Sequence, residues 1–247
     1  ITIISSETDH FFSRTALMYI YMGHMKYENT KPYEDNFWKK NRIDLLRDHV
    51  QSVNTKSKTV TLLTGNSIEY DILIIASGSK SNKFGWPGQE LRGVQGLYSF
   101  QDLERMEQTT RGINHAVIVG GGLIGIEMAE MLLSRKIAVT MLVRESAFWS
   151  NVLPLQEANM ISRHIQSHHV DLKLETELKE IQSDDKGCVQ SIVTNHGETI
   201  SCQFVGLTVG VSPAIEFLKD SGIATKRGIL VNEYLETNIP DVYALGD

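Results

Sequence analysis

The residues with the clearest chemical potential are three glycines, Gly120, Gly122 and Gly125, set at G-x-G-x-x-G spacing behind the apolar run His115-Ala116-Val117-Ile118-Val119. A glycine at 120 permits a tight turn, and one at 122 lets a pyrophosphate approach the backbone. One at 125 lets the following helix pack close to the strand. The amides of Leu123 and Ile124 then face the anion at the helix N-terminus. The spacing alone is a weak signal, but here it sits between a strand and a helix, as dinucleotide binding requires. The helical stretch ends before a second apolar run, Val139-Thr140-Met141-Leu142-Val143, so the segment predicts one βαβ unit of a parallel sheet.

Other reactive residue types carry less. His164 and His168 have i, i+4 spacing, with His169 next to them, but no acidic third ligand lies at a fitting distance in sequence, so no metal site is expected. Cys188 and Cys202 are too few for a disulfide scaffold and too far apart for a redox or metal pair. They read as core cysteines of a protein in a reducing, cytoplasmic setting. Gly85-Trp86-Pro87-Gly88 reads as a turn and Phe148-Trp149 as local packing. The 247 residues carry a net charge of −6, which argues against a nucleic-acid or anionic-membrane partner. No apolar run reaches the roughly 18–20 residues that span a bilayer.

The elements that position the glycine loop occur twice. Residues 65–78 overlay residues 197–210, and residues 1–7 overlay residues 139–145, pairing β-branched and aliphatic residues with each other. Each copy has a Rossmann strand, helical sequence and a short antiparallel meander. The meander strands are expected at residues 50–53, 59–63 and 67–76, and again at 178–181, 189–193 and 199–208. The second copy opens with a strand, glycine loop and helix of about 23 residues that the first copy lacks, so the chain is expected to be truncated ahead of Ile1. By position, Glu7 lies just past the second strand of the first copy, where an acid can grip adenosine ribose hydroxyls; a solvated loop acid is the other reading.

Three ordered motifs carry a family resemblance over essentially the whole chain. Besides the glycine loop, Tyr70-Asp71-Ile72-Leu73-Ile74-Ile75-Ala76-Ser77-Gly78-Ser79 and Thr237-Asn238-Ile239-Pro240-Asp241-Val242-Tyr243-Ala244-Leu245-Gly246-Asp247 resemble stretches of the FAD-dependent pyridine nucleotide-disulfide oxidoreductases. The resemblance implies an α/β fold of two Rossmann-like dinucleotide-binding domains, each with a parallel sheet and a small antiparallel meander. Residues 1–110 would begin the FAD domain, 111–227 form an inserted NAD(P)H domain, and 228–247 return to the FAD domain. FAD would be held by Glu7, Arg14, Val50, Ala76, Ser77, Gly78, Gly246 and Asp247, the last accepting from the ribityl chain. Val50 reads equally well as a buried meander residue. At Arg14 the pattern departs from ferredoxin-reductase-like relatives, since Thr15 replaces a proline and Tyr19 the lysine of a flavin-side ion pair.

NAD(P)H would be held by Gly120, Gly122, Leu123, Ile124, Gly125, Glu127, Arg144, Glu145 and Gly210. Glu127 would orient the nicotinamide, although an acid stabilised by the helix dipole also explains it. Val143 stands where NADH-preferring members carry an acid. Arg144 suits a 2′-phosphate and Glu145 a free 2′-hydroxyl, so the two point opposite ways. With no cysteine near Ser13-Arg14-Thr15, a disulfide reductase is excluded and electrons should leave for an external acceptor: a ferredoxin or rubredoxin type protein, a nitrite-reductase-like centre, or a small acceptor. The alternatives are an NAD(P)H-binding flavoprotein redox sensor with little turnover and a quinone-reducing NADH dehydrogenase. A homodimer through a C-terminal domain outside this sequence is a further expectation.

Overall fold

The computed structural model describes residues 1–247. The first copy runs through β1 (Thr2–Ser5), α1 (Leu17–Tyr21), α2 (Asn36–Lys40), β2 (Asp44–Arg47), β3 (Val50–Asn54), β4 (Thr59–Leu62), β5 (Ser67–Glu69), β6 (Leu73–Ile75) and β7 (Ser79–Ser81). β8 (Val94–Gln95) and α3 (Phe100–Thr109) lead to the second copy: β9 (His115–Val119), α4 (Leu123–Ser134), β10 (Ala138–Leu142), α5 (Leu155–Ser167), β11 (Val170–Lys173), β12 (Leu178–Ser183), β13 (Val189–Thr194), β14 (Thr199–Ser201) and β15 (Phe204–Leu207). β16 (Val211–Pro213) and β17 (Val242–Ala244) complete the chain. This is an α/β plan of parallel sheets with small antiparallel meanders.

The chain forms two compact units, one of Ile1–Ser13, Thr30–Lys80 and Val211–Asp247, the other of Arg14–Asn29 and Ser81–Gly210. These limits differ from breaks at 110 and 227 for three packing reasons. β8 joins the second copy's sheet through β15, and α1 leaves the first copy to pack on α3 and α4. There Tyr21 is fully buried, hydrogen-bonded to the Thr110 hydroxyl at 2.6 Å, with the Arg135 guanidinium 3.6 Å from its ring centre. Leu218 and Ile223, ahead of residue 227, belong to the core of the other unit beside Val53, Val60 and Val242.

In the unit containing the second copy, an all-parallel sheet has the order β11-β10-β9-β15-β8. α4 covers it with fully buried Met128, Met131 and Leu132. The approach is so close that a Cβ on Gly206 of β15 would stand 2.3 Å from Met128 Sδ. The antiparallel sheet β12-β13-β14 contributes Leu178, Ile181, Val189, Ile192 and Ile200 to a core shared with Val117, Val119, Val205 and Leu207 of the parallel sheet.

The other unit repeats the plan: β1 pairs parallel with β2, β6 with β17, and β3-β4-β5 form the meander. Its pairs β2-β1 and β6-β17 match β11-β10 and β15-β8, but no strand stands between β1 and β6. Leu73 and Ile75 of β6 face the meander core, whereas Ile72 and Ile74 of the opposite face are each 61% exposed, as is Ile3 of β1 at 43%. Both expected third meander strands are corrected here. Residues 67–76 divide into β5 and β6, and residues 199–208 into β14 and β15. In each case the chain leaves the antiparallel meander and enters a parallel pairing.

Candidate functional site

β10, β9 and β15 are adjacent and parallel, so the loops after them emerge along one edge, where open α/β sheets hold ligands. That edge carries Gly120, Gly122 and Gly125 after β9, Arg144 and Glu145 beyond β10, and Gly210 beyond β15. Gly120 has φ +115°, and a Cβ there would meet the Thr208 carbonyl oxygen at 2.5 Å. A Cβ on Gly125 would meet the Gly120 carbonyl oxygen at 2.6 Å and Thr208 Oγ1 at 2.8 Å. Thr208 itself is fixed by donating to the Val119 carbonyl at 2.9 Å. The protein's own packing therefore accounts for two of the three glycines.

Gly122 is different. It caps α4 in extended backbone at φ −100°, a conformation open to any residue, and nothing lies within 4 Å of a Cβ built on it. Its missing side chain keeps space clear in front of the helix, where the amides of Leu123 and Ile124 have no carbonyl of their own helix to reach. A phosphate group fits that arrangement of open backbone, unsatisfied donors and helix dipole. Beneath the loop, Val143 and Phe148 pack against Gly121, with Val143 Cγ1 3.0 Å and Phe148 Cδ2 3.7 Å from its would-be Cβ. Thr208 and Phe148 were not singled out as loop supports in the sequence. The only signal was that Thr208 falls at the end of an apolar strand that overlays Ala76.

Glu127 lies on the exposed side of α4, one turn into the helix. Loss of part of its hydration, then the neighbouring Glu130 carboxylate, raises its pKa above the usual carboxylate value. Gly210 has φ +86°, and its carbonyl accepts from the Asn82 amide at 3.0 Å. Arg14, in the same unit, donates to the Tyr98 carbonyl at 2.6 Å and lies 4.6 Å from the centre of the Tyr98 ring. Trp149, stacked on Phe148, adopts φ +63°, a left-handed conformation rare for an aromatic residue. Cys202 is fully buried, which pushes its thiol up to about 12, and Cys188 is half-buried; both are free. His164 and His168 stack edge-on at 4.4 Å, with the His168 ring hydrogen-bonded to the His164 carbonyl.

In the other unit, the remaining candidates gather at the ends of parallel strands. Ala76, Ser77 and Gly78 follow β6, and Gly246 and Asp247 follow β17, its hydrogen-bonded neighbour, so the two loops leave side by side. Gly78 and Gly246 have φ +65° and +90°, turns that favour glycine. Ser77 and Asp247 are exposed and suited to pairing with hydroxyl groups. Glu7 is half-buried two residues beyond β1, its amide donating to Ser5 Oγ at 3.3 Å. Val50 opens β3 opposite Leu62 and packs on the meander core.

Known proteins share this architecture. The chain is 28% identical over 248 residues to a nitrite reductase (NAD(P)H) of Bacillus subtilis (strain 168), a match covering 100% of this chain and 31% of that protein. It is 29% identical over 248 residues to an NADH-rubredoxin oxidoreductase of Clostridium acetobutylicum, covering 100% of this chain and 61% of that one. The chain thus spans less than two thirds of the length of each of these relatives. A ferredoxin reductase from Rhodopseudomonas palustris has the same fold, with a TM-score of 0.92 at 24% identity over 100% of this chain and 61% of that one. The model of the pyridine nucleotide-disulphide oxidoreductase family matches residues 1–247. With the match running the whole length of two repeated sheet-and-meander units, this chain belongs to the pyridine nucleotide-disulphide oxidoreductase family.

Proposed function

We propose that the chain is the dinucleotide-binding part of an FAD-dependent NAD(P)H oxidoreductase that passes electrons to an external acceptor. The observation that carries this reading is Gly122, a glycine that the protein's own packing does not require, holding space open before the first turn of α4 at the sheet edge. In this reading the unit with the five-stranded sheet takes NAD(P)H. Leu123 and Ile124 donate amides to the pyrophosphate, Arg144 and Glu145 meet the adenosine ribose, and Glu127 and Gly210 flank the nicotinamide. The other unit takes FAD, with Glu7 at the ribose and Ser77, Gly78, Gly246 and Asp247 along the flavin's polyol chain.

When bound, nicotinamide and flavin supply hydride transfer and the release of electrons to a one-electron acceptor. The chain's own residues orient and shield. The exposed Glu127, with its raised pKa, can hold a hydrogen bond to a carboxamide in either protonation state. The buried, poorly ionised Cys202 and the meander-edge Cys188 offer no thiolate pair, which favours an outside acceptor over a disulfide substrate. The names of the relatives, NADH-rubredoxin oxidoreductase and nitrite reductase, support a rubredoxin-type protein or a nitrite-reductase-like centre as that acceptor.

Steady-state reduction of ferricyanide by the complete FAD-loaded protein tests this. Turnover of at least about 1 per second with NADH or NADPH is expected. A negligible rate at saturating concentrations of both would overturn the electron-transfer reading in favour of a nucleotide-binding sensor.

A further inference from the structure

The ribose end of the proposed NAD(P)H site carries more charge than the sequence pair Arg144-Glu145 displays. Residues 143–145 extend β10 past its last strand residue as partners of residues 173–176. The Val143 amide donates to Lys173 O at 2.9 Å, the Thr176 amide to Val143 O at 3.0 Å, and the Glu175 amide to Glu145 O at 3.0 Å. This ladder fixes the Glu145 backbone and brings the acidic turn Glu175–Glu177 beside it. Val143 is fully buried against Gly121, so it offers a ribose no polar group. Recognition falls to the next two side chains.

Of these, Arg144 is not a free cation. Its Nε donates to Glu145 Oε1 at 2.9 Å, with the arginine side chain 73% exposed and the glutamate 23% exposed. Glu145, and at longer range Glu177, hold the guanidinium still more firmly protonated. Lys173, in the same ladder, is paired with Glu198 at 2.9 Å and Asp171 at 3.7 Å. The His196 ring is hydrogen-bonded to the Glu175 carbonyl.

From this arrangement we infer that the site selects a dinucleotide with a free adenosine 2′-hydroxyl over one with a 2′-phosphate, NADH over NADPH, with Glu145 the specificity-determining residue and Glu177 reinforcing it. The inference rests on reading this unit as the NAD(P)H site. A ribose diol donates O–H hydrogen bonds to the Glu145 carboxylate while the ion pair stays intact. A 2′-phosphate, with close to two negative charges, meets an Arg144 already paired through Nε with Glu145, so any bond to its remaining N–H groups sets the phosphate beside that carboxylate, with Glu177 adding like charge. Such like-charge placement is how a site rejects a near-isostere.

Calorimetric titration with ADP-ribose and with its 2′-phosphate tests the inference and needs neither flavin nor turnover. The 247-residue chain should bind ADP-ribose at least about tenfold tighter. Glu145→Gln should shrink that ratio, and adding Glu177→Gln should bring it within about threefold of unity or reverse it. Glu145 is partly exposed and Glu177 exposed, and an unchanged thermal midpoint serves as the folding control. Equal or tighter binding of the phosphorylated ligand by the unaltered chain, or a ratio unmoved in the double variant, overturns the inference and leaves the dinucleotide site standing. If neither ligand binds, the reading of the site itself fails and takes the inference with it.

Discussion

At the residue scale, Glu127 is the candidate whose chemistry can be separated from its neighbours. Its carboxyl is held above the ordinary value by partial burial and then by Glu130. The folded chain therefore binds that proton more tightly than the unfolded chain does, and ionising it costs stability. The cost is absent below the unfolded value, where both states are protonated, grows as pH rises, and is fully present above the folded value. Glu127→Gln should thus raise the thermal midpoint at neutral pH, with the gain vanishing in acid; a gap that is constant with pH would contradict the assignment. Single residues were legible unevenly. Gly120, Gly122 and Gly125 announce a phosphate loop by spacing, but nothing in the sequence says that Thr208, eighty-odd positions on, closes two of those positions to any side chain.

At the scale of elements, that asymmetry among the glycines separates folding from binding. Gly125→Ala drives a methyl into the Gly120 carbonyl and Thr208 and should destabilise the chain by about 1–3 kcal/mol. Gly122→Ala meets nothing and should cost less than about 1 kcal/mol, yet weaken ADP-ribose binding by about tenfold or more, because the methyl occupies the anion's approach. Thermal melts paired with titration check both; equal loss of stability in the two variants would contradict this account.

The strand–loop–helix unit was readable because an apolar run, clustered glycines and a helical pattern agree with one another. The ends of the meanders were not. The Cys202 amide still bonds to Gln190 of β13, β14's partner, while the next amide, Gln203, bonds to His115 of β9. Tyr70 and Leu73 make the same change, from Lys58 to Asp241. Both sides of such a switch are apolar strand sequence, and period-two patterning carries no record of which sheet a strand joins.

For the whole molecule, internal duplication was the most informative reading, since two strand pairs of one unit repeat in the other: β2-β1 and β6-β17 match β11-β10 and β15-β8. The excursion of α1 escaped it, because Tyr21 finds Thr110 and Arg135 through tertiary packing alone. The uncovered face of the first copy, with Ile3, Ile72, Ile74 and Leu245 exposed, makes a prediction at this scale. The 247-residue chain should bind an apolar dye and self-associate as concentration rises, and Ile72→Lys/Ile74→Lys should suppress both without lowering the thermal midpoint. Dye binding unaffected by that double substitution would place the sticky surface elsewhere.

In the proposed reading of this unit as the FAD site, one-sided pairing of β1 and β6 also ties colour to closure. A parallel strand that zips between them would set the distance between the turns after Ser5 and Ile75, and with the second of these the turn after Ala244. Flavin retention and the cohesion of that half would then rise and fall as a single equilibrium, each strengthening the other in proportion.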